Sequence, residues 1–403
     1  MTLELNQVAQ QVKAMGRSLA EHRPHLDEEL ARAQSLLREF STRPGELHDR
    51  IQRAERAQQS QRFDWVGAAP TQEPLAEVYS LPPCPEQLTV IASDGSQIHP
   101  DPHAITLYYL INTGCIIYRH GSNQKPETYN PKPKLYYEPE DLFDEQGRLI
   151  STGEVNVKRD LAELEVLTNL GPAYAQTVPE PVVALMDGQL TLRVIDLPFG
   201  QQQDRQDEYI GLLDQLREAN VILGGYIDRP RSTFALSLIY LASLDIEQIN
   251  EENLRRNAFR TLTDIELFNF LGPGERSAIF TVRAKGLDRY TFAGHTIHFF
   301  YLNVSQNPAS PHLARVELPA WIVANRPALD TLHAAIVRQA GITGGYPYVL
   351  ARADELAVIS SEEREAVELM LAVEMRQQGL APEISLKQRN KNAYRFGRES
   401  FRL

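Results

Sequence analysis

Two apolar runs in this chain end in Asp-Gly. One leads from Leu88 through Ile91 to Asp94-Gly95-Ser96, the other from Pro181 through Met186 to Asp187-Gly188. Each reads as a buried β-strand that delivers a carboxylate at its C-terminal end, with glycine permitting a sharp exit. Like charges held close together need a partner, and a divalent cation is the usual one. Further acids are available. The segment 154–170 is helical in its spacing and carries Arg159, Glu163 and Glu165. Both glutamates flank the apolar face of Val157, Leu161 and Leu164, so either could reach the sheet. Asp264 stands ahead of the turn Gly272-Pro273-Gly274. Three or four carboxylates from separate segments make an oxygen-only cradle suited to Mg²⁺ or Mn²⁺. Two such ions ~3.5–4 Å apart activate water and stabilise a leaving oxygen in phosphodiester cleavage. For each acid alone, a turn cap or a solvated face is the better reading. The shared strand–Asp–Gly context is what favours the metal reading.

Basic groups gather in two places. Arg229 and Arg231 follow a third buried run, 221–227, at the strand end where ligands tend to bind. Their guanidinium groups suit phosphates held bidentately. The tail from about 385 to 403 carries Lys387, Arg389, Lys391, Arg395, Arg398 and Arg402 among Tyr394, Phe396 and Phe401. That mixture suits single-stranded nucleic acid or an acidic partner. The net charge of -12 argues against a surface that coats DNA as a whole, but leaves room for a local basic groove. No Walker A run, dinucleotide fingerprint, nucleophile elbow or His-Glu-x-x-His pattern occurs. His295 and His298 would face opposite sides of a strand and make a poor metal pair. Cys84 and Cys115 are the only cysteines and lack zinc or disulfide spacing, which fits a reducing cytoplasm. Residues 1–18 hold no signal-peptide core, and no run reaches the ~18 apolar residues that span a bilayer.

These groups need a frame. Residues 1–60 show helical periodicity, divided by Pro24 and by Arg43-Pro44-Gly45 into two or three helices. They read as an N-terminal extension, either packed on the main body or serving as a dimer or partner arm. Residues 61–403 form that main body. The stretch 104–119 predicts strands antiparallel to the first, and 120–149 a surface excursion. Helices are expected at 204–217, 233–243, 326–340, 346–358 and 361–378, and strands at 280–282 and 298–302. The run 315–319 predicts an edge strand ended by Pro319. The order implies an α/β fold with a mixed central sheet flanked by helices.

On these residues the chain resembles the NurA nuclease family. The resemblance rests on Asp94-Gly95-Ser96, the Arg159/Glu163/Glu165 helix, Leu185-Met186-Asp187-Gly188 and Gly225-Tyr226-Ile227-Asp228-Arg229-Pro230-Arg231-Ser232. Further along it rests on Asp264, Gly272–Ser277, Ala314–Pro319 and Gly345-Tyr346-Pro347, spanning roughly 88–390. It implies an RNase H-like core. It also implies a manganese-dependent nuclease that trims DNA 5′ to 3′ and nicks single strands. A homodimer docked on a hexameric HerA-type ATPase in DNA-end resection is implied as well. By position, Asp94, Asp187, one of Glu163 and Glu165, and Asp264 would be metal ligands or near-ligands. Where many members carry Ala-His, this chain has Ala353-Asp354. Asp354 then either ligates metal through oxygen or leaves a weaker or inactive site. The alternative to a nuclease is therefore a non-catalytic DNA clamp or adaptor for such an ATPase.

Overall fold

The computed structural model describes residues 4–57, 64–144 and 146–380. Helices α1 (Leu5–Glu39) and α2 (Pro44–Ala57) precede strands β1 (Gly67–Pro70), β2 (Leu88–Ile98), β3 (Tyr109–His120), β4 (Glu127–Tyr129) and β5 (Lys134–Tyr136). Next come α3 (Pro139–Leu142), α4 (Thr152–Thr177), β6 (Val182–Asp187), α5 (Phe199–Glu218), β7 (Ile222–Asp228) and α6 (Phe234–Ala242). Short helices α7 (Glu251–Arg255), α8 (Asp264–Leu267) and α9 (Asp288–Phe292) accompany β8 (Phe280–Arg283), β9 (Ile297–Asn303) and β10 (Leu313–Pro319). Four helices follow: α10 (Ala320–Val323), α11 (Arg326–Thr343), α12 (Tyr348–Ala357) and α13 (Ser361–Gln377). No described helix is long and apolar enough to cross a membrane.

The chain forms two compact units, each made of two separate stretches. One takes 1–84 and 225–346, the other 85–224 and 347–403. The N-terminal helices thus belong to the first unit. Leu37, Leu47 and Ile51 join Leu238, Phe268 and Phe299 in one buried cluster there. The sheet of this unit is antiparallel throughout, β1 to β8, β8 to β9, β9 to β10 and β10 to residues 225–228 of β7.

Two expectations about this unit change. Pro24 does not divide the first helix; α1 runs 35 residues with Pro24 inside it. The carbonyl of Ala20, which Pro24 leaves without a donor, lies on an exposed turn where water can take it. The 315–319 run is not an edge strand. β10 is bonded on both sides and buried along its whole length. Its two charges satisfy each other, Arg315 Nη2 donating to Glu317 Oε1 at 2.8 Å. Pro319 closes the strand as its last residue.

In the second unit β2 is the central strand. It pairs antiparallel with β3 and parallel with β6, while β4 and β5 both add to β3. The order β4-β3-β2-β6-β7, with α4 as the crossover between β2 and β6, is the RNase H-like arrangement. The fold is therefore the mixed α/β sheet flanked by helices that the sequence predicts. Helix α4 starts where Ser151 accepts the Glu154 N–H, and it buries Val157, Leu161 and Leu164.

Candidate metal centre

The central pair of strands sets the site. Ser93 and Met186 are register partners on the parallel strands β2 and β6, so the next residues, Asp94 and Asp187, are neighbours. The two Asp-Gly steps nevertheless differ. Gly188 has φ +112 and makes the expected exit from β6. β2 instead continues through Asp94 and Gly95 to Ile98. Gly95 is needed for closeness rather than for a turn. A Cβ there would stand 2.7 Å from Glu163 Oε1 and 2.8 Å from Arg159 Cγ, so α4 lies directly on the strand.

The pleat then sorts the acids onto two faces. Gly95 faces α4. Asp94 pairs across with Gly114, whose Cβ position is 2.6 Å from Leu356 Cβ, so Asp94 faces α12. Two side chains of that face seat the C-terminus of α12. Ser96 Oγ and Asn112 Nδ2 both donate to the Ala357 carbonyl, at 2.5 and 2.8 Å. This places Asp354 within hydrogen-bonding reach of Asp94. Burial pushes the Asp94 carboxyl up to about 6, and repulsion from Asp187 and Asp354 adds to it. The Gly95 N–H, donating to Asp94 Oδ1 at 2.8 Å, works the other way.

On the α4 face Glu163 is buried while Glu165, two residues on, is exposed. Burial holds the Glu163 carboxyl well above its ordinary range. Arg159 opposes this, with Nε 3.1 Å from Glu163 Oε1 and Nη2 2.6 Å from Asp160 Oδ1. Gln97 Oε1 accepts from Arg159 at 3.3 Å, and Gln97 in turn bonds Asn156. Asp94 and Asp187 both act electrostatically on Glu163.

Asp264 belongs elsewhere. It lies in the first unit, fully buried, and its oxygens accept from Ala235 N, Leu236 N and Tyr301 Oη at 3.1, 2.9 and 2.5 Å. It caps the start of α6, with three donors on its two oxygens, at the position the sequence offered as a ligand. Burial pushes it up to about 6 against those bonds. Arg229 and Arg231 are exposed residues of the first unit. Lys387, Arg389, Lys391 and Arg395 lie outside the described residues.

Asp94, Asp187, Glu163 and Asp354 are thus the acids that share one neighbourhood. All their donors are hard oxygens, the set that Mg²⁺ and Mn²⁺ prefer. Among the described residues no three His, Cys, Asp or Glu side chains are arranged to hold an ion as they stand. Glu163 comes to β2 from the α4 side, paired with Arg159, while Asp94 points from β2 toward α12. The roles of Ser96, Asn112 and Arg159 were not legible in the sequence. Each acts through a partner far along the chain or on another element.

Strand order and acids together define an α/β protein with an RNase H-like sheet and an acidic centre at its two parallel strands. A family model described as NurA domain matches residues 88–359. The chain belongs to the NurA family, and that membership supports a nuclease. No curated protein matches it. Among solved structures it is similar to a NurA crystallised with manganese, at 10% identity and TM-score 0.32, covering 80% of this chain and 96% of that one. It is similar also to the catalytic domain of human endonuclease V, at 14% identity and TM-score 0.31, covering 73% and 85%. A third is Ciona intestinalis endonuclease V in complex with DNA containing an inosine followed by a ribo-adenosine, at 13% identity and TM-score 0.29, covering 71% and 88%.

Proposed function

We propose that this protein is a metal-dependent deoxyribonuclease whose centre is Asp94, Asp187, Glu163 and Asp354. The observation that carries the reading is the register of β2 and β6, which sets Asp94 beside Asp187, with Asp354 within reach of Asp94. Mn²⁺ or Mg²⁺, as two ions, would polarise a phosphoryl oxygen of the scissile linkage. The chain's own residues supply the rest. Asp94 and Asp187 offer the charge that binds the cation, and Ser96 and Asn112 keep Asp354 above them. Arg159 keeps Glu163 oriented. The substrate is DNA, single-stranded or with free ends, cut as a 5′–3′ exonuclease and single-strand endonuclease. Work in DNA-end resection and repair, in the cytoplasm, beside a hexameric HerA-type ATPase follows from the family resemblance. A homodimer is supported by α1, whose Leu5, Val12, Met15 and Leu19 are exposed at spacings of seven, three and four.

Arg229, Arg231 and the basic tail are the proposed DNA contacts. Incubation with labelled single-stranded DNA and Mn²⁺, beside Asp94→Ala and Asp187→Ala, tests the assignment. Equal cleavage by all three proteins would defeat it.

One observation favours a second reading, the DNA-clamp or adaptor. Arg159 already neutralises Glu163, as a cation would. Calorimetric titration with Mn²⁺ separates the two, since an adaptor need not bind the ion at micromolar levels.

A further inference from the structure

A cation already stands among the acids of the centre. Of Asp94, Asp187, Glu163 and Asp354, only Glu163 is buried, and Glu163 is the one engaged by Arg159.

Three contacts fix the guanidinium on the α4 side of β2. Nε lies 3.1 Å from Glu163 Oε1, Nη2 donates to Asp160 Oδ1 at 2.6 Å, and Nη1 donates to Gln97 Oε1 at 3.3 Å. The aliphatic stem crosses the strand at Gly95, where a Cβ would stand 2.8 Å from Arg159 Cγ and 2.7 Å from Glu163 Oε1. The glutamate oxygen therefore lies against the β2 backbone at the residue next to Asp94.

The partners of Arg159 are unequal. The Glu163 side chain is 7% exposed, whereas those of Arg159 and Asp160 are 29% and 28% exposed. A guanidinium that lets go of Glu163 keeps Asp160, to which both Nε and Nη2 donate, and it gains water. Little is lost on the arginine's side. Glu163 is affected far more. It becomes a buried carboxylate without a counter-ion, under repulsion from Asp160, Asp94 and Asp187. Another cation makes good that loss, and a divalent ion brings twice the charge in a smaller volume.

We propose that Arg159 is a resident cation that a divalent ion must displace from Glu163, so that metal loading and the Arg159–Glu163 pair exclude each other. The inference rests on the nuclease reading for the site of the ion, and its test does not depend on cleavage. The full chain is titrated calorimetrically with Mn²⁺ as wild type, Arg159→Gln, Arg159→Lys, the double variant Arg159→Gln/Glu163→Gln, and Asp94→Asn. Arg159→Gln keeps most of the stem and removes the charge. It should bind Mn²⁺ about tenfold more tightly than the wild type, the gain from removing a competing state occupied ~90% of the time. Arg159→Lys, a cation without the planar fork, should fall between the two. The double variant should lose the gain, since Glu163 is the ligand that Arg159 withholds. A role confined to orienting Glu163 predicts the opposite sign, a weakening of about 10–100-fold when Arg159 is replaced. Melting temperatures guard against misfolding as the cause: Mn²⁺ should raise that of Arg159→Gln by more than that of the wild type. Mn²⁺ affinity in Arg159→Gln equal to or below the wild type's, with Asp94→Asn still abolishing binding, would overturn the inference and leave the nuclease reading standing. Absence of Mn²⁺ binding in every one of these proteins would defeat both.

Discussion

Asp94 and Asp187 follow directly on the last register pair that joins β2 to β6, Ser93 with Met186. Two carboxylates 93 positions apart in sequence thereby become neighbours on adjacent strands, and Asp187 raises the cost of ionising Asp94. The acidic centre is therefore built by strand pairing rather than by a loop, which gives it the rigidity of the sheet.

Removing either acid should abolish activity without unfolding the protein. Asp94→Asn and Asp187→Asn are expected to lower DNA cleavage by about 10²-fold or more, the scale of losing a metal-site interaction. Thermal unfolding with and without Mn²⁺ supplies the second reading. The wild type should gain melting temperature on adding the ion, and neither variant should.

Asp94 also predicts a pH dependence. Its carboxyl is raised from 3.8 to about 6 in the fold, so the folded state binds this proton more tightly than the unfolded chain does. The associated stability is fully present below about pH 4 and is lost as pH rises through 6. Partial exposure screens the effect, leaving about 1–2 kcal/mol. In EDTA, the difference in stability between wild type and Asp94→Asn should therefore grow in the variant's favour from pH 4 to pH 7.5. A constant difference across that range, followed by denaturant melts, would count against the burial and crowding assigned here.

Arg159→Ala should leave Glu163 buried without its counter-ion. The expected destabilisation is about 2–3 kcal/mol, less than the ~3–5 of a fully buried pair because Arg159 is partly exposed. Part of the loss should return on adding Mn²⁺, if the ion takes over the neutralisation. Chemical denaturation in EDTA and in Mn²⁺ measures both.

Asp264→Ala separates stability from metal binding. It strips α6 of its cap, leaving two N–H groups unsatisfied and Tyr301 Oη with Ser232 Oγ alone, which should cost about 2–4 kcal/mol. Mn²⁺ affinity by calorimetry should be that of the wild type. A large fall in affinity would restore Asp264 as a ligand.

Much of the frame was legible because its signals are local. The apolar runs that became β2 and β6 ended near their aspartates, and the 3.6-residue spacing of α4, α11 and α12 was open to inspection. The failures have physical causes. An exposed helix tolerates a proline that would break a buried one, so Pro24 misled. β10 reads as an edge because Pro319 ends it, yet that proline is the last residue of the strand and Arg315 and Glu317, two residues apart on one side, pair with each other. A capping carboxylate and a ligand carboxylate look identical in sequence, so the bonds from Ala235 N and Leu236 N to Asp264 were not legible. Gly95 was legible as a necessity, but its reason was not: the closeness of α4 is a tertiary fact.

The seating of α12 by Ser96 and Asn112 has a consequence in time. A ribosome makes Asp94 and Asp187 well before it makes Asp354, which lies in the second of the two stretches that compose its unit. The nascent chain can pair its strands early, yet the acid that stands near Asp94 arrives only after the intervening stretch 225–346 has emerged. The order of synthesis thus delays the finished centre until the rest of the scaffold exists to hold it.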